Sequence, residues 1–403
     1  MRIAYFAEIF PSGSETWVHH EIEELQRRGC TVQVFATHPR PSCLPPELQP
    51  FTEITTYLPE FSVPLHGMAL PLLRLATRPD LLHDWAFDTA GLRLKGQVLR
   101  DLGLASRAIP WLGEFKPDVV FAHFGASRTN LAMFASMLTG TPFAFKMHAG
   151  DVFTRPALLG LKTRHAAAIL TISDCNIRYI REHYPDVDSA RLRKHACGIP
   201  LDRYPFRADR PEPDNPTLLA VGRLVKMKGF DTLLRASRIL FDQGFAHRLV
   251  VIGDGPQRPA LESLCAELAL TETTDFKGYC SPDEVRENLL AASLFALPAV
   301  WDAETGTQDG IPVALMEAMA FGIPAVSTTT SGIPELIEDN VSGFLAVPGD
   351  PASLAAAIRR CCDLGSEEQC GMLRRARLTI ERAHDIRGLT GELHDLLAGL
   401  KPC

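Results

Sequence analysis

What most constrains the fold of this chain is a rhythm: a short uninterrupted apolar run, a longer amphipathic stretch, then another apolar run, set out twice along 403 residues. Residues 2–7 read as a buried strand, 15–28 as a helix closed by Gly29, and 31–36 as the next strand. Similar runs stand at 119–122, 142–147 and 168–172, separated by helical stretches. Strands that are apolar on both faces and joined through helices form a parallel sheet covered on both sides. Between Ile199 and Thr217 the chain turns polar and proline-rich (PLDRYPFRADRPEPDNPT), as a surface connection does. The rhythm then restarts with a strand at 218–221, a helix at 231–242, a strand at 249–252, a helix at 259–268 and strands near Phe276, Leu294, Ala325 and Phe344. The expectation is an α/β protein of two Rossmann-like domains, divided at about residue 205, whose parallel sheets face each other across a cleft. Ligands of open α/β sheets bind outside the carboxyl ends of the strands, so chemistry is sought just after strands.

Length agrees, because 403 residues is too long for one ordinary domain and suits two. A net charge of −7 speaks against a general nucleic-acid binder, so any anion site must be local. The ten cysteines fall at scattered spacings, with Cys361 and Cys362 adjacent and no C-x-x-C pair. That pattern points to neither a zinc site nor a disulfide framework, and it suits a reducing cytoplasm. No uninterrupted run of about 18 apolar residues is found, so a membrane span is not expected. The segment from Leu65 to Leu104 is leucine-rich with Arg93, Lys95 and Arg100 interspersed. It leaves peripheral membrane contact open beside the plainer reading, a pair of packed helices.

Four segments carry candidate chemistry. In TLLAVGRLVKMKGFDTLLRA, Gly222 and Arg223 end a strand, and Lys228 and Gly229 lead into a helix. A diphosphate leaving group needs positive charge already in position when its bond to the sugar breaks, which Arg and Lys supply; the plainer alternative is a solvated basic turn. In DGIPVALMEAMAFGIPAV, Asp309 stands in a loop, Pro312 at the expected first helical position and Glu317 inside the helix. The neighbours of Glu317 three and four residues away, Val313, Ala314, Ala320 and Phe321, are all apolar. A carboxylate in such surroundings requires hydrogen-bond donors, either the paired hydroxyls of a ribose or a structural partner. Asp309 divides evenly between a ligand contact and helix capping. In FAFKMHAGDVF, His148 follows a strand directly, and His123 in FAHFGAS sits similarly, although a histidine there is more often structural than catalytic. Gly13, in FPSGSET, permits close backbone approach to a ligand or simply a turn. VIGDGPQRP reads G-x-G-x-x-R where a dinucleotide fingerprint needs G-x-G-x-x-G, which sets an NAD-dependent oxidoreductase aside.

Taken together, these segments resemble the large retaining glycosyltransferase family four (glycosyl transferases group 1), whose members have the GT-B fold. The resemblance runs over most of the chain through GRLVKMKG, VIGDGP, FKGY, PVALMEAMAFGIPAVST and SGIPELIEDNVSGFLAVPGD in fixed order, with FPSGSETWVHHEIEEL and KMHAGDVF in the first half. It implies an acceptor-binding domain over 1–205, completed by a C-terminal helix at about 384–403, and a nucleotide-sugar-binding domain over 206–383. It implies that Arg223 and Lys228 contact the donor diphosphate and Glu317 the ribose. Asp309 and the backbone after it, Gly310, Ile311, Pro312 and Val313, would hold the transferred sugar, and His148 would approach it. Gly13, Gly222, Gly253, Gly278 and Tyr279 lie within the same motifs and carry over as donor-binding positions. Such enzymes retain anomeric configuration, by front-face attack in which the leaving phosphate helps deprotonate the acceptor, with neither metal nor separate cofactor.

Where the family usually has Glu-x7-Glu, this chain has Asp309, one methylene shorter, ahead of Glu317. The SETWVHHEI opening and the GIPVALMEAMA helix look most like enzymes of bacterial exopolysaccharide or colanic-acid assembly, which implies a saccharide or lipid-linked oligosaccharide acceptor. The expected donor is a sugar nucleotide, UDP-hexose ahead of GDP-hexose. Two other functions stand beside transfer: a GT-B sugar-nucleotide epimerase or phosphorylase, which needs no glycosyl acceptor or needs inorganic phosphate, and a non-catalytic sugar-nucleotide-binding module, which turns nothing over.

Overall fold

A computed structural model of the protein describes residues 1–13, 15–38, 40, 44–58, 77, 92–154, 157–185, 187–208 and 215–401. Most of the leucine-rich segment 65–104 lies outside the described residues; its end opens the helix Leu92–Phe115. No helix among the described residues is long and apolar enough to cross a membrane. Chain contacts define two compact units, Met1–Ala196 with Arg387–Cys403, and Cys197–Ile386.

The first unit is built on seven parallel strands: β1 (Arg2–Ala7), β2 (Thr31–Ala36), β3 (Thr55–Tyr57), β4 (Val119–His123), β5 (Phe143–Met147), β6 (Ala168–Thr171) and β7 (Leu192–Lys194). Their order is β3-β2-β1-β4-β5-β6-β7. The central strands are buried almost throughout, which is why RIAYFA and VVFAH carry apolar residues without alternation. The edge strands TTY and LRK have no apolar run and left no signal in the sequence. The helix Thr16–Arg27 packs Trp17, Val18, Ile22 and Leu25 inward at helical spacing and ends ahead of Gly29, which takes φ +82°. The last helix, Ile386–Ala398, joins this unit: Arg28 donates to the Arg387 carbonyl at 2.6 Å, and a His195 ring nitrogen lies 2.9 Å from the Leu389 carbonyl.

The second unit has six parallel strands: β8 (Thr217–Val221), β9 (Arg248–Ile252), β10 (Thr274–Gly278), β11 (Leu294–Ala296), β14 (Ala325–Thr328) and β15 (Phe344–Ala346). Their order is β10-β9-β8-β11-β14-β15. Between β11 and β14, β12 (Trp301–Asp302) and β13 (Thr307–Gln308) form a small antiparallel pair of their own. In both sheets the chain runs outward from the first strand, then returns to its other side, and the carboxyl ends of strands parted in this way leave a crevice at the reversal.

The proline-rich stretch after Ile199 is more than a surface connection. Ile199 is fully buried in a bridge with Asp385, Tyr204 is buried, and the Arg207 amide donates to the Phe321 carbonyl at 3.1 Å. Its charged residues mask these three anchoring contacts, which only the folded backbone reveals.

Strand ends in the second unit approach so closely that two glycines are sterically required. A β-carbon on Gly253, at φ +132°, would stand 2.0 Å from the Gly222 carbonyl oxygen, and one on Gly229, at φ +70°, 1.9 Å from that of Pro298. We expect Gly253→Ala and Gly229→Ala each to destabilise this unit by about 2–4 kcal/mol, read as a lower midpoint in chemical denaturation. Gly365→Ala, where nothing lies within 4 Å of the added carbon, should change stability by less than about 0.5 kcal/mol.

Candidate active site

In the second unit the candidate residues gather around the carboxyl end of β8. Gly222 and Arg223 leave the strand, a 3-10 turn over Lys226–Lys228 follows, and Gly229 in the left-handed region starts the helix Phe230–Asp242. Arg223 is exposed, and its guanidinium has neither hydrogen bond nor ion pair among the described residues. Lys228 lies differently. Its methylenes cross Gly222, where a β-carbon would stand 3.6 Å from Cδ and Cε, and its ammonium pairs with Asp309 Oδ2. Both side chains of that pair are only 15% exposed. Asp309 therefore serves as the counter-ion of Lys228 and not as a helix cap.

The helix carrying Glu317 spans Val313–Phe321. Pro312 is its N-cap, with ψ 126°, and not its first helical residue as the sequence suggested; no side chain caps this end. The first turn's amides thus face the loop without a side-chain acceptor. Glu317 is half-buried, on a stripe with Val313 and Ala314 four and three positions earlier.

Glu317 Oε1 accepts a hydrogen bond from the Tyr204 hydroxyl at 2.8 Å. Tyr204 is held edge-on to Phe321, and Arg377 Nη1 donates to the carbonyls of both Tyr204 and Ala320 at 2.8 Å. A structural partner therefore exists on one oxygen, while Oε2 has none among the described residues. Burial pushes the Glu317 carboxyl up to about 7, against the opposing pull of the Tyr204 bond. Tyr204 was missed in the sequence; an aromatic, with Phe206 beside it, in a polar, proline-rich stretch was its one signal.

The remaining donor-side positions fall at neighbouring strand ends. The Gly222 amide donates to Ile252 O at 3.0 Å and the Gly253 amide to Gly278 O at 2.8 Å, which ties β8, β9 and β10 side by side. Tyr279 follows and is 66% exposed, whereas Gly310 and Ile311 are buried beside the opening of the Glu317 helix.

In the first unit, His148 is the residue after β5, and its amide donates to Asp151 Oδ2 at 3.0 Å. Its ring packs against both Trp17 and Phe124, at 4.5 and 4.6 Å between centroids. His148 Nε2 is 3.0 Å from His123 Nδ1, and His123 Nε2 is 2.8 Å from Glu21 Oε1. The two histidines singled out separately in the sequence are thus directly joined. Glu21 and Lys146, buried behind them, were missed. Burial would raise the Glu21 carboxyl, but His123 and Lys146 hold it down at about 2. Gly13 is exposed at the turn ahead of the first helix and joins none of these interactions.

Comparison with known proteins accords with this architecture. Residues 203–377 match the family model of glycosyl transferases group 1, and residues 12–198 match the glycosyl transferase 4-like domain. The chain belongs to the glycosyl transferases group 1, enzymes of the GT-B fold. It is 29% identical to the putative colanic acid biosynthesis glycosyltransferase WcaL of Escherichia coli K12, over 99% of this chain and 100% of that one. It is 28% identical to the amylovoran biosynthesis glycosyltransferase AmsK of Erwinia amylovora, over 89% and 90% of the two chains. Among solved structures, the fold is similar to that of Anabaena HepE in complex with UDP and glucose, with a TM-score of 0.74 at 17% identity over 99% of this chain and 100% of that one.

The Tyr204–Glu317 bond yields a prediction with a definite sign. Because the Glu317 carboxyl titrates near 7 when folded and near 4.5 otherwise, its contribution to stability is fully present below about 4.5 and is lost as pH rises through about 7. Tyr204→Phe removes the donor that favours the ionised form, so its cost, about 1–3 kcal/mol, should be larger at pH 8 than at pH 5 in paired thermal or chemical melts.

Proposed function

We propose that this protein is a retaining, metal-independent hexosyltransferase that moves a hexose from a nucleoside diphosphate sugar, UDP-hexose before GDP-hexose, to a saccharide or lipid-linked saccharide during bacterial polysaccharide assembly. The observation that carries the reading is the pair of cations after β8: Arg223 unpaired among the described residues, and Lys228 laid over Gly222 with Asp309 as its counter-ion.

As the bond between the anomeric carbon and the diphosphate breaks, its electron pair passes to the phosphate oxygen. Cations already fixed at that oxygen stabilise the developing charge without reorganising. The acceptor oxygen bonds to the anomeric carbon on the same face, and its proton passes to the departing phosphate oxygen, which balances the step. Diphosphate competes with Asp309 for Lys228, and Asp309, so released, accepts hydrogen bonds from sugar hydroxyls. Glu317, keeping Tyr204 on Oε1, offers Oε2 to the ribose, and His148 carries over from the family resemblance as a residue that meets the sugar. UDP and glucose in the Anabaena protein support the donor class, and the colanic acid and amylovoran biosynthesis names of the relatives support the acceptor class. The cytoplasm, where sugar nucleotides are held, is the compartment this reading requires.

A binding and turnover screen against UDP- and GDP-hexoses tests it, with EDTA present throughout. We expect one nucleotide series to bind and transfer to depend on a saccharide acceptor; strict dependence on EDTA-chelatable metal would overturn the metal-independent part. Epimerised nucleotide in the absence of acceptor, or a requirement for inorganic phosphate, would replace the transferase reading. Lys228→Ala and Arg223→Ala should each lower kcat about 100-fold, ~3 kcal/mol at the transition state; near-normal turnover in both sinks the assignment. Glu317→Gln should weaken nucleotide binding about tenfold with an unchanged circular dichroism spectrum. Unchanged affinity would leave Glu317 as the partner of Tyr204 alone.

A further inference from the structure

Behind His148 the first unit buries a line of polar groups that the transfer step does not itself use. Lys146 Nζ donates to the Ala196 carbonyl at 2.9 Å and to His195 Nδ1 at 3.0 Å, and it lies 3.7 Å from Glu21 Oε2. The far nitrogen of His195 is 2.9 Å from the Leu389 carbonyl. Glu21 Oε1 receives the Tyr5 hydroxyl at 3.3 Å and faces His123 Nε2 at 2.8 Å. His123 Nδ1 then faces His148 Nε2 at 3.0 Å.

Each contact fixes the direction of the next. An ammonium only donates, a carbonyl or carboxylate only accepts, and a neutral imidazole has one nitrogen of each kind. Glu21 therefore requires the His123 proton on Nε2, which leaves Nδ1 as a lone pair. That lone pair requires the His148 proton on Nε2. His148 is left with an acceptor at Nδ1, which has no partner among the described residues. Reversing the chain would set the unprotonated Nε2 lone pair of His123 against the buried carboxylate.

Charge and packing support the same direction. Burial lowers both imidazoles, His148 well below its ordinary value with the Lys146 charge adding to the effect, which favours the neutral form of both rings near pH 7. The nearest other cation, Arg128, lies over the Phe124 ring and pairs with Glu8 and Glu15. Phe124 holds φ +66°, a region aromatic residues avoid, and its ring packs on His148 beside that of Trp17.

We propose that Glu21 and His123 are positioning residues that lock His148 as the Nε2–H tautomer, so that its Nδ1 meets substrate only as a hydrogen-bond acceptor and selects a sugar nucleotide presenting a neutral hydroxyl over one presenting a carboxylate. The substrate half of this inference rests on the transferase reading; the tautomer half does not. A carboxylate brought to that lone pair would set acceptor against acceptor, and protonating the ring to receive it runs against its burial.

Long-range 1H–15N spectra of 15N-histidine-labelled protein, with His148 assigned from the His148→Gln difference spectrum, test the tautomer in the unaltered chain. We expect Nε2 protonated and Nδ1 bare at pH 7; an Nδ1–H tautomer or an imidazolium overturns the proposal. Glu21→Gln should move His148 toward the Nδ1–H form, and an unmoved tautomer in that folded variant would remove Glu21 from the role. Should Glu21→Gln not fold, the wild-type spectrum still decides. Calorimetry with UDP-glucose and UDP-glucuronate should then show the uronate bound at least tenfold more weakly, and equal or tighter binding overturns the selectivity. If neither binds while the tautomer is as expected, the UDP-sugar assignment fails and the relay stands.

Discussion

Both candidate sites depend on one constraint, the reversal of strand order beside the first strand of each sheet. A parallel sheet covered by helices has no polar surface of its own, so the carboxyl ends at the reversal are where backbone and side chains can meet a ligand. In the first unit that position puts His123 at the end of β4 next to Tyr5 of β1, with His148 after β5. In the second it puts Arg223 after β8, and the β11–β14 connection carries Asp309. The chemistry differs between the two units because the residues placed there differ: an acceptor-lined, buried relay in one, and cations with a half-buried carboxylate in the other.

Among the described residues of the first unit, the buried charges Glu21, Lys146 and Lys162 each have a partner. Glu21 lies between His123 and Lys146, which is why its carboxyl stays low despite enclosure. Lys162, fully buried, bonds the Gly125 carbonyl, with Asp151 and Asp101 as nearby acids; burial draws it down to about 7, and the two carboxylates oppose that. Removing one member of such a set strands the others in a medium that solvates them poorly, at a cost of about 3–5 kcal/mol. These groups fix side-chain direction more than they add stability, and His148 inherits its orientation from them. The second unit uses a simpler device: Lys228 and Asp309 neutralise each other, each side chain 15% exposed.

Much of this was legible beforehand. β1 and β2 coincide with their expected spans, and the strands after them differ by a residue or so, because doubly covered strands must be continuously apolar and the pattern has no rival explanation. Arg223, Lys228, Asp309, Glu317 and His148 were singled out because charged or polar residues after strands stand out from an apolar background. What escaped was of two kinds. The edge strands TTY and LRK and the β12–β13 pair carry no periodic signal. Glu21, Lys146 and Tyr204 look in sequence like ordinary members of an amphipathic helix, a strand and a linker, and their partners lie 102, 49 and 113 positions away along the chain.

The sequence by itself determined the two α/β units, the strand ends to search and the residue types able to hold a diphosphate, since these follow from local periodicity and from the chemistry of single side chains. Only the tertiary structure decided what those side chains touch. Asp309 becomes a counter-ion and not a cap, Glu317 gains Tyr204, and His148 is joined through His123 to Glu21. The reason is physical: hydrogen-bond direction, ion pairing and burial are properties of pairs, and these pairs come into being when distant strands and helices are brought within about 3 Å of one another.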